Sequence, residues 1–379
     1  WALIAKGWSN HSVTSGSYIN YSNKNLNSAN KQQSILFNDV GRDLFLVGFE
    51  DIKRTWNSDE DFNDALFYAT VNPITSVETD NMLIPDYVAL DSDSDGIPDN
   101  FDDYPNDPLK AFNNYFPNEY GWGSLAFEDQ WPGTGDYDFN DVVVDYRFNQ
   151  ISNADNKVVD IAAVFVLRAF GASYENGFGF QIPIANSEVN NVTGIQVLDN
   201  YINLDAKNLE QEQQKAVVIV FDNVYKAMPY SIANSIGINT SPGAEYVTPD
   251  TFNVSVELAN PQNFSSLGTP PYNPFIIADK QRGYEIHLPD YPPTNLVDTS
   301  LFNTLRDDSY PVTDRYYKTE NNLPWAINIL ESFDYPNEKI QIVLAYNKFI
   351  QWAESEGTIF NDWYRDIDGY RNSNRIYSH

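Results

Sequence analysis

The chain has 379 residues, 42% of them hydrophobic, which is enough for two or three domains with real cores. Its 53 acidic residues against 23 basic ones give a net charge of −30, which argues against nucleic-acid binding and against docking on anionic membranes, and favours cations as partners. Cysteine is absent, which excludes disulfides and thiolate sites, and the few histidines, such as His11 and His287, lie in no recognisable catalytic or zinc motif.

The first 80 residues are predicted to form a small β domain. Residues 1–38 combine short apolar pieces with Ser, Asn and Gly, which is typical of strands and turns. Residues 44–49 and 65–71 are rich in β-formers and flank an acidic stretch, a pattern that predicts a β-hairpin with an acidic loop. Because the chain begins at Trp1 and has no apolar run long enough to span a bilayer, we expect a mature or trimmed product from which any signal or lipid anchor has been removed. The many candidate calcium ligands described below suggest an exported protein.

The stretch DSDSDGIPDNFD, residues 91–102, matches the calcium-binding loop template, with Gly96 at the sharp turn. Crowded carboxylates repel one another in an ion-free loop, whereas a hard divalent cation surrounded by oxygens makes the same crowding favourable. The alternative is a solvated acidic linker that binds no ion. The predicted calcium ligands are the side chains of Asp91, Asp93, Asp95, Asp99 and Asp102 and the carbonyl of Ile97.

Two features separate this loop from an EF-hand. Position 12 is Asp102 where an EF-hand has Glu, and nearby prolines such as Pro98 and Pro105 do not suit two long helices. The loop instead resembles the thrombospondin type 3 repeat, whose acidic loops bind calcium and hold adjoining domains rigidly. Since residues 75–89 and 104–116 have linker composition, the resemblance implies a calcium-binding linker over residues 81–109.

The acidic hairpin is repeated after this loop. The sequence FED at 127–129 repeats FED at 49–51, and DYDFND at 136–141 repeats DEDFND at 59–64, with one residue fewer between the halves. In each copy Phe alternates with Asp and Asn, so the ring can anchor the loop while the polar side chains face an ion. We predict one calcium site per copy; the alternative is that Asp and Asn cap turn amides as Asx-turns. The candidate ligands are Glu50, Asp51, Asp59, Asp61, Asn63 and Asp64 in the first copy, and Glu128, Asp129, Asp136, Asp138, Asn140 and Asp141 in the second.

From residue 142 onward the pattern predicts a β-sandwich. The runs VVVDYRF, VVDIAAVFVLRAF, GFGFQIPI, AVVIVF and TFNVSVELA are rich in β-branched and aromatic residues and are separated by turn clusters. The second run is apolar on both faces, which predicts a central strand, and the last alternates apolar with polar residues, which predicts one buried face. Near the C-terminus we predict a strand at 340–345 followed by a helix from about residue 347 to 356, stopped by Gly357; a single helix from Pro336 is the alternative.

Several longer segments resemble the LruC-domain family of Gram-negative envelope and surface proteins. The resemblance extends over residues 104–364 and rests on YGWGSLAFEDQWPGTGDYDFNDVVVDYRFN, NPFIIADKQRGYEIHLPDYPPTN, LPWAIN and FIQWAESEG. The earlier VGFEDIKRTWNSDEDFNDALFYATVNP is similar to a short domain of unknown function that often precedes a type 3-like calcium loop. The resemblance implies an exported, outer-membrane-linked or surface-exposed protein with a β-sandwich-like fold, and it implies no established enzymatic activity.

These patterns predict a mainly β, multi-domain protein: a small β domain over residues 1–80, the calcium-binding linker over 81–109, and a jelly-roll-like β-sandwich with a short C-terminal helix over 110–379. The first functional hypothesis is a non-enzymatic, calcium-stabilised structural or adhesion protein of the cell surface, binding a protein, a polysaccharide or copies of itself. The second is a glycan-binding module, because 15% of the residues are aromatic. The third is a glycan hydrolase, for which Glu285 and His287 are the pair to test, although a polar contact within the fold is the simpler interpretation.

Overall fold

The computed structural model describes residues 1–55, 58–73, 76–80, 82–85, 90–171, 173–229 and 237–378. The chain divides into two compact units, residues 1–90 and 91–379, so the acidic loop at 91–102 belongs to the second unit. Parts of the predicted linker, residues 75, 81 and 86–89, lie outside the described residues, and the three-part division stays a prediction. The expected mainly β character is confirmed in both units.

The described residues of the first unit form three small antiparallel sheets. Strand β6 (Leu44–Phe49) has the buried residues Phe45, Val47 and Phe49. It pairs with strand β7 (Ala65–Ala69) so that Phe49 lies opposite Ala65. The predicted hairpin is therefore confirmed, with the acidic stretch as its loop. The sheets are β1 (Ala2–Ala5) with β4 (Tyr18–Tyr21), β2 (Trp8–Ser9) with β3 (Ser12–Val13), and β5 (Ser34–Asp39), β6 (Leu44–Phe49) and β7 (Ala65–Ala69) in that order.

The second unit contains a seven-stranded and a four-stranded antiparallel sheet. The larger sheet has the order β13-β15-β11-β10-β9-β18, with β8 also paired to β10, and the smaller has the order β14-β12-β16-β17. The strands are β8 (Tyr115–Phe116), β9 (Gly123–Phe127), β10 (Val142–Ser152), β11 (Val158–Ala169), β12 (Gly177–Ala185), β13 (Val189–Thr193), β14 (Lys215–Phe221), β15 (Asp250–Gln262), β16 (Asn273–Ile277), β17 (Glu285–His287) and β18 (Ala326–Ile329).

The main core lies between these two sheets, as in a β-sandwich. Phe148 of β10, Phe165 of β11 and Phe180 of β12 meet there, with ring centroids 5.4 to 5.7 Å apart. Strand β11 lies between β10 and β15, which confirms the predicted central strand, although its second face is only half-buried. The alternation predicted for β15 is confirmed, since its apolar positions are buried and the polar ones between them are exposed or half-buried. Alternating apolar residues thus formed the buried faces that the sequence predicts.

A second core covers the other face of the larger sheet. The C-terminal segment, residues 333–378, places Phe333, Phe349 and Trp363 against Val143 of β10 and Ile327 of β18. This explains why β10 is buried on both faces. The short helices of the second unit are α1 (Val224–Ala227), α2 (Phe264–Leu267), α3 (Ile342–Ala345) and α4 (Phe349–Glu354).

The C-terminal prediction was partly wrong. Residues 342–345 form helix α3 rather than a strand, because Ile342 and Ala345, three positions apart, both face the second core. A single helix from Pro336 is not formed either. The predicted helix is confirmed as α4, and it ends where the N–H of Gly357, at φ +77°, donates to the carbonyl of Trp352 at 2.9 Å. None of the helices in the described part of the chain has the length and apolar character needed to cross a bilayer.

Candidate metal centre

The loop of the second hairpin folds around the carboxylate of Glu128. Strands β9 and β10 bring Phe127 opposite Val142, and the intervening loop turns its backbone inward at Tyr137 and Phe139, which have φ of 58° and 57°. The carboxylate of Glu128, 0% exposed, accepts hydrogen bonds from the N–H groups of Tyr137 (3.0 Å) and Phe139 (2.5 Å). The buried acid therefore fixes the path of the loop.

The remaining acids of this loop are also held in place by hydrogen bonds. Asp141 Oδ2 accepts from the N–H of Asp129 (2.9 Å), and Asp129 Oδ2 accepts from Nδ2 of Asn176 (2.9 Å). Asp138 Oδ1 accepts from the N–H of Asn140 (3.1 Å), which is the contact expected of an Asx-turn. Asp129 Oδ1 is buried and has no hydrogen-bond partner among the described residues. Hydrogen bonding of this kind thus accounts for part of the carboxylate oxygens in the loop and leaves Asp129 Oδ1 without a donor.

The loop brings its carboxylates together in two overlapping groups. In the first, Glu128, Asp136 and Asp141 have oxygens within 4.8 Å of one another. In the second, Asp136 and Asp138 have oxygens within 4.8 Å of an oxygen of Glu338, which lies in the C-terminal segment. Sequence reasoning missed Glu338, because it lies about 200 residues beyond the hairpin and in no acidic motif. Asp136 belongs to both groups.

Burial strongly perturbs these carboxyl groups. It raises the pKa of Glu128 and of Asp141 well above the ordinary value, and neighbouring carboxylates raise both further. Burial likewise raises the pKa of Asp129 to about 6 and, with the charge of Asp136, that of Asp138 to about 8. None of the ion pairs formed among the described residues involves these carboxylates. Such a cluster becomes compatible with burial either by holding protons or by binding a cation.

The first hairpin repeats the backbone of this loop in a more open setting. Glu50 is buried and accepts from the N–H of Phe62 (2.7 Å), and Asp64 Oδ2 accepts from the N–H of Asp51 (2.9 Å). Three carboxylates again approach within 4.8 Å, those of Glu50, Asp59 and Asp61. However, four polar residues of this loop are exposed: Asp59, Asp61, Asn63 and Asp64. Phe62 is only half-buried, whereas its counterpart Phe139 is fully buried. The predicted aromatic anchor is thus complete only in the second copy.

The loop at 91–102 also gathers part of its predicted set. Asp91, Asp93 and Asp95 have oxygens within 4.8 Å of one another, and Gly96 makes the turn at φ +98°. Asp91 accepts from the N–H groups of Ser94 (2.7 Å) and Gly96 (3.1 Å), so turn capping operates here too.

The other predicted ligands of this loop differ from one another. Asp99 uses both oxygens to accept from the N–H and Oγ of Ser92, each at 2.7 Å, and the N–H of Ile97 donates to Asp95 Oδ1 at 2.7 Å. Burial raises the pKa of Asp95 and of Asp102, and one buried oxygen of each has no partner among the described residues. Asp91, Asp93 and Asp95, whose oxygens lie within 4.8 Å of one another, and Asp102, which keeps a free buried oxygen, are therefore better placed for an ion than Asp99.

Glu285 and His287 form a polar contact inside the sandwich. Both are 0% exposed, and His287 Nε2 lies 2.9 Å from Glu285 Oε2. The imidazole stacks between the rings of Phe275 and Tyr317, with centroids 4.7 and 5.2 Å away. Burial alone raises the pKa of Glu285, but the hydrogen bond from His287 and the charge of Arg282 outweigh it and lower the pKa to about 2. The polar contact within the fold that the simpler interpretation predicts is therefore present, and Arg282 adds an ion pair to it.

Comparison with known proteins places most of the second unit in a family. Residues 156–364, more than half of the chain, match the model described as "Domain of unknown function (DUF4842)". The chain belongs to this family. The DUF4842 region contains Glu338 and Asn176 but not the hairpin loop that they contact. Residues 1–72 are similar to a second "Domain of unknown function (DUF4114)", and the resemblance to the LruC-domain family is not confirmed by these matches.

The DUF4842 chain also resembles a solved structure. A crystal structure at 2.08 Å, "Putative lipoprotein from Bacteroides ovatus", has a TM-score of 0.52 at 17% sequence identity, covering 70% of this chain and 76% of the other. At this identity the likeness shows a shared fold. No curated protein matches the chain.

Proposed function

We propose that this protein is a non-enzymatic, calcium-binding structural module of the bacterial envelope or cell surface. The observation that carries the proposal is the group formed by the buried Glu128 and Asp141 and the half-buried Asp136, whose oxygens meet within 4.8 Å. None of the three forms an ion pair with a basic side chain among the described residues. A bound cation supplies the missing positive charge, and the fold keeps the acids in place without it through backbone hydrogen bonds.

Calcium fits this donor set better than other common ions. The candidate ligands are carboxylate and amide oxygens from a loop, which suit hard cations, and Ca²⁺ accepts irregular oxygen shells where Mg²⁺ demands a near-ideal octahedron. The similar arrangements at Glu50, Asp59 and Asp61 and at 91–102 offer further sites of the same chemistry. Extracellular calcium is abundant enough for such loops.

A surface location is supported by one comparison. The fold resembles a protein from Bacteroides ovatus that carries the word lipoprotein in its name. At the surface, the ions would hold the acidic loops in one conformation, so that the module presents a stable face to a protein, a polysaccharide or another copy of the chain. The proposal names the partner only as one of these three kinds of molecule.

The test is calcium titration of the metal-stripped full chain by calorimetry, with two matched variants. Asp136→Asn removes the carboxylate shared by both groups of the second hairpin, and Asp59→Asn removes its counterpart in the first. We expect the wild type to bind calcium, Asp136→Asn to lose the tightest binding, and Asp59→Asn to keep it, because the second hairpin is buried and pre-organised. A stripped protein that takes up no calcium at millimolar concentration would falsify the proposal.

A glycan-binding role is the second candidate, favoured by one groove of the second unit. The groove has a volume of about 300 Å³, and Tyr291 and Trp352 line it together with the polar residues Asp290, Lys318 and Glu356. Aromatic faces beside charged groups are suited to sugar rings. Quenching of tryptophan fluorescence by surface oligosaccharides, lost in Trp352→Ala, would support this role; unchanged binding in that variant would remove the groove from consideration.

A further inference from the structure

The C-terminal segment crosses directly over the loop of the second hairpin. The N–H of Lys339 donates to Asp138 Oδ2 at 2.7 Å, and the N–H of Ile342 donates to the carbonyl of Tyr137 at 2.8 Å. These two contacts hold residues 336–342 against the loop, so that Glu338 lies over the loop carboxylates. The segment and the loop are about 200 residues apart in the sequence, so their contact depends on the tertiary fold.

Asn140 points a free oxygen into the space between loop and segment. This residue is 0% exposed, and its Nδ2 donates to the carbonyl of Pro336 at 3.2 Å, which fixes the side chain. Its Oδ1 is buried and has no hydrogen-bond partner among the described residues. A buried acceptor without a donor is rare in native folds, so the Oδ1 of Asn140 calls for a ligand.

Asn140 Oδ1 and Glu338 Oε2 border the same space beside Gly171. A Cβ atom on Gly171 would lie 2.3 Å from Asn140 Oδ1 and 3.0 Å from Glu338 Oε2, so only glycine leaves this space open. Asp136 and Asp138 place carboxylate oxygens within 4.8 Å of an oxygen of Glu338. Because Ca–O distances are about 2.3–2.6 Å, ligands on opposite sides of one ion are about 5 Å apart, and this spacing fits.

We propose that Glu338 and Asn140 complete a calcium site with Asp136 and Asp138, and that the ion holds the C-terminal segment on the hairpin loop. The inference rests on the proposed function and extends it, since it assigns a ligand from outside the acidic motif and a consequence for a second element. Calcium then controls how firmly residues 336–342 dock on the loop.

The first hairpin shows what the same loop is like without such a cover. There Asn63 Nδ2 donates to Asp61 Oδ2 at 2.6 Å, so the amide is turned toward its own loop. The grouped carboxylates of that hairpin, Glu50, Asp59 and Asp61, all come from the hairpin itself, and the two aspartates are exposed. The repeat therefore separates the ligands that the motif supplies from the one that the C-terminal segment adds.

The test compares Glu338→Gln with Glu354→Gln in the metal-stripped full chain. Glu354 is exposed on the same segment and outside the cluster, so its variant is the matched control. We expect Glu338→Gln to weaken calcium binding at the tight site at least about tenfold, because losing even a residue that only supports a metal ligand costs 10- to 100-fold. Amide hydrogen exchange of Lys339 and Ile342 should slow on adding calcium in the wild type and in Glu354→Gln, and much less in Glu338→Gln.

Each outcome decides a different claim. If the wild type binds no calcium, the proposed function and the inference both fall. If the wild type binds calcium but Glu338→Gln binds it with equal affinity and stoichiometry, or if calcium leaves the exchange of both amides unchanged in the wild type, the inference alone is overturned. Should Glu338→Gln fail to fold, Glu338→Asp keeps the charge and withdraws the oxygen by one methylene; weaker calcium binding in that variant supports the site, and unchanged binding contradicts it.

Discussion

Asp61 and Asp138 occupy the same position in the two hairpin loops but differ in environment. Each accepts a hydrogen bond at 3.1 Å from the N–H two residues later, so their local structure is the same. Asp61 is exposed, whereas Asp138 is 1% exposed and burial raises its pKa to about 8. The motif therefore specifies the turn, and the surrounding fold specifies how strongly the turn's carboxylates need a counter-ion.

Glu285 is a buried acid with the opposite electrostatic character. It lies beside Arg282, His287 and the Oγ1 of Thr294, all of which favour its charged form. Its pKa in the fold, about 2, lies below the ordinary value of about 4.3, so its contribution to stability is complete above pH 4.3 and is lost as the pH falls through 2.

We expect Glu285→Gln to lower the free energy of unfolding at pH 7 by about 3–5 kcal/mol, because it removes a charge from a buried pair and leaves Arg282 less well compensated. Urea denaturation at pH 7 and pH 3 measures this loss, and the difference from the wild type should narrow at the lower pH. Glu320→Gln, at an exposed site, is the control and should change little. A loss that is equal at both pH values would contradict the electrostatic explanation.

At the scale of elements, the hairpins and helix α4 could be predicted, whereas the helical conformation of residues 342–345 could not. The local sequence is sufficient to predict the hairpins, because β-prone runs lie on either side of a repeated DFND loop. Residues 340–345 are mostly apolar without a clear period, and residues 342–345 form helix α3. Its first N–H, that of Ile342, donates to the carbonyl of Tyr137 in the hairpin loop. That acceptor is about 200 residues away in the chain, so no local pattern contains it.

The end of β11 leads into Gly171, which borders the second carboxylate group. We expect Gly171→Ala to weaken calcium binding at the second hairpin at least about tenfold while costing the metal-free protein about 1–3 kcal/mol, because the new methyl group forces Asn140 Oδ1 out of the site. Calorimetry and urea denaturation in chelator measure the two effects. In the control, Gly41→Ala, the nearest neighbour of the new Cβ is 3.6 Å away. Calcium binding that survives Gly171→Ala unchanged would place the ion elsewhere.

At the scale of the whole molecule, the sandwich follows from period-two alternation that any strand with one buried face must show. Phe252, Val254 and Val256 of β15 illustrate this, since all three are buried as the sequence predicts. The candidate metal centre follows only in part. The sequence supplies the motif acids, but the position of Glu338 depends on how the C-terminal segment covers the larger sheet, and that is a property of the completed fold.

Chelation should lower the thermal stability of the second unit more than that of the first, because the second hairpin is the more buried. A ligand present at about 100 times its Kd adds about 2.7 kcal/mol per site. Scanning calorimetry of the full chain with calcium, with chelator, and with Mg²⁺ in place of calcium measures the shift. We expect Mg²⁺ to restore less stability than Ca²⁺. A melting curve of the full chain that is the same with and without chelator would contradict this prediction.

The meeting of Asp136 with Glu338 has a topological consequence. A chain without cysteine cannot tie distant segments together by disulfides. An ion shared by these two carboxylates closes a loop of about 200 residues, and in the chain-entropy model a cross-link of that span removes about 5 kcal/mol of conformational freedom from the unfolded chain. Calcium would then serve as a reversible cross-link, one that reducing agents cannot break and that a chelator opens.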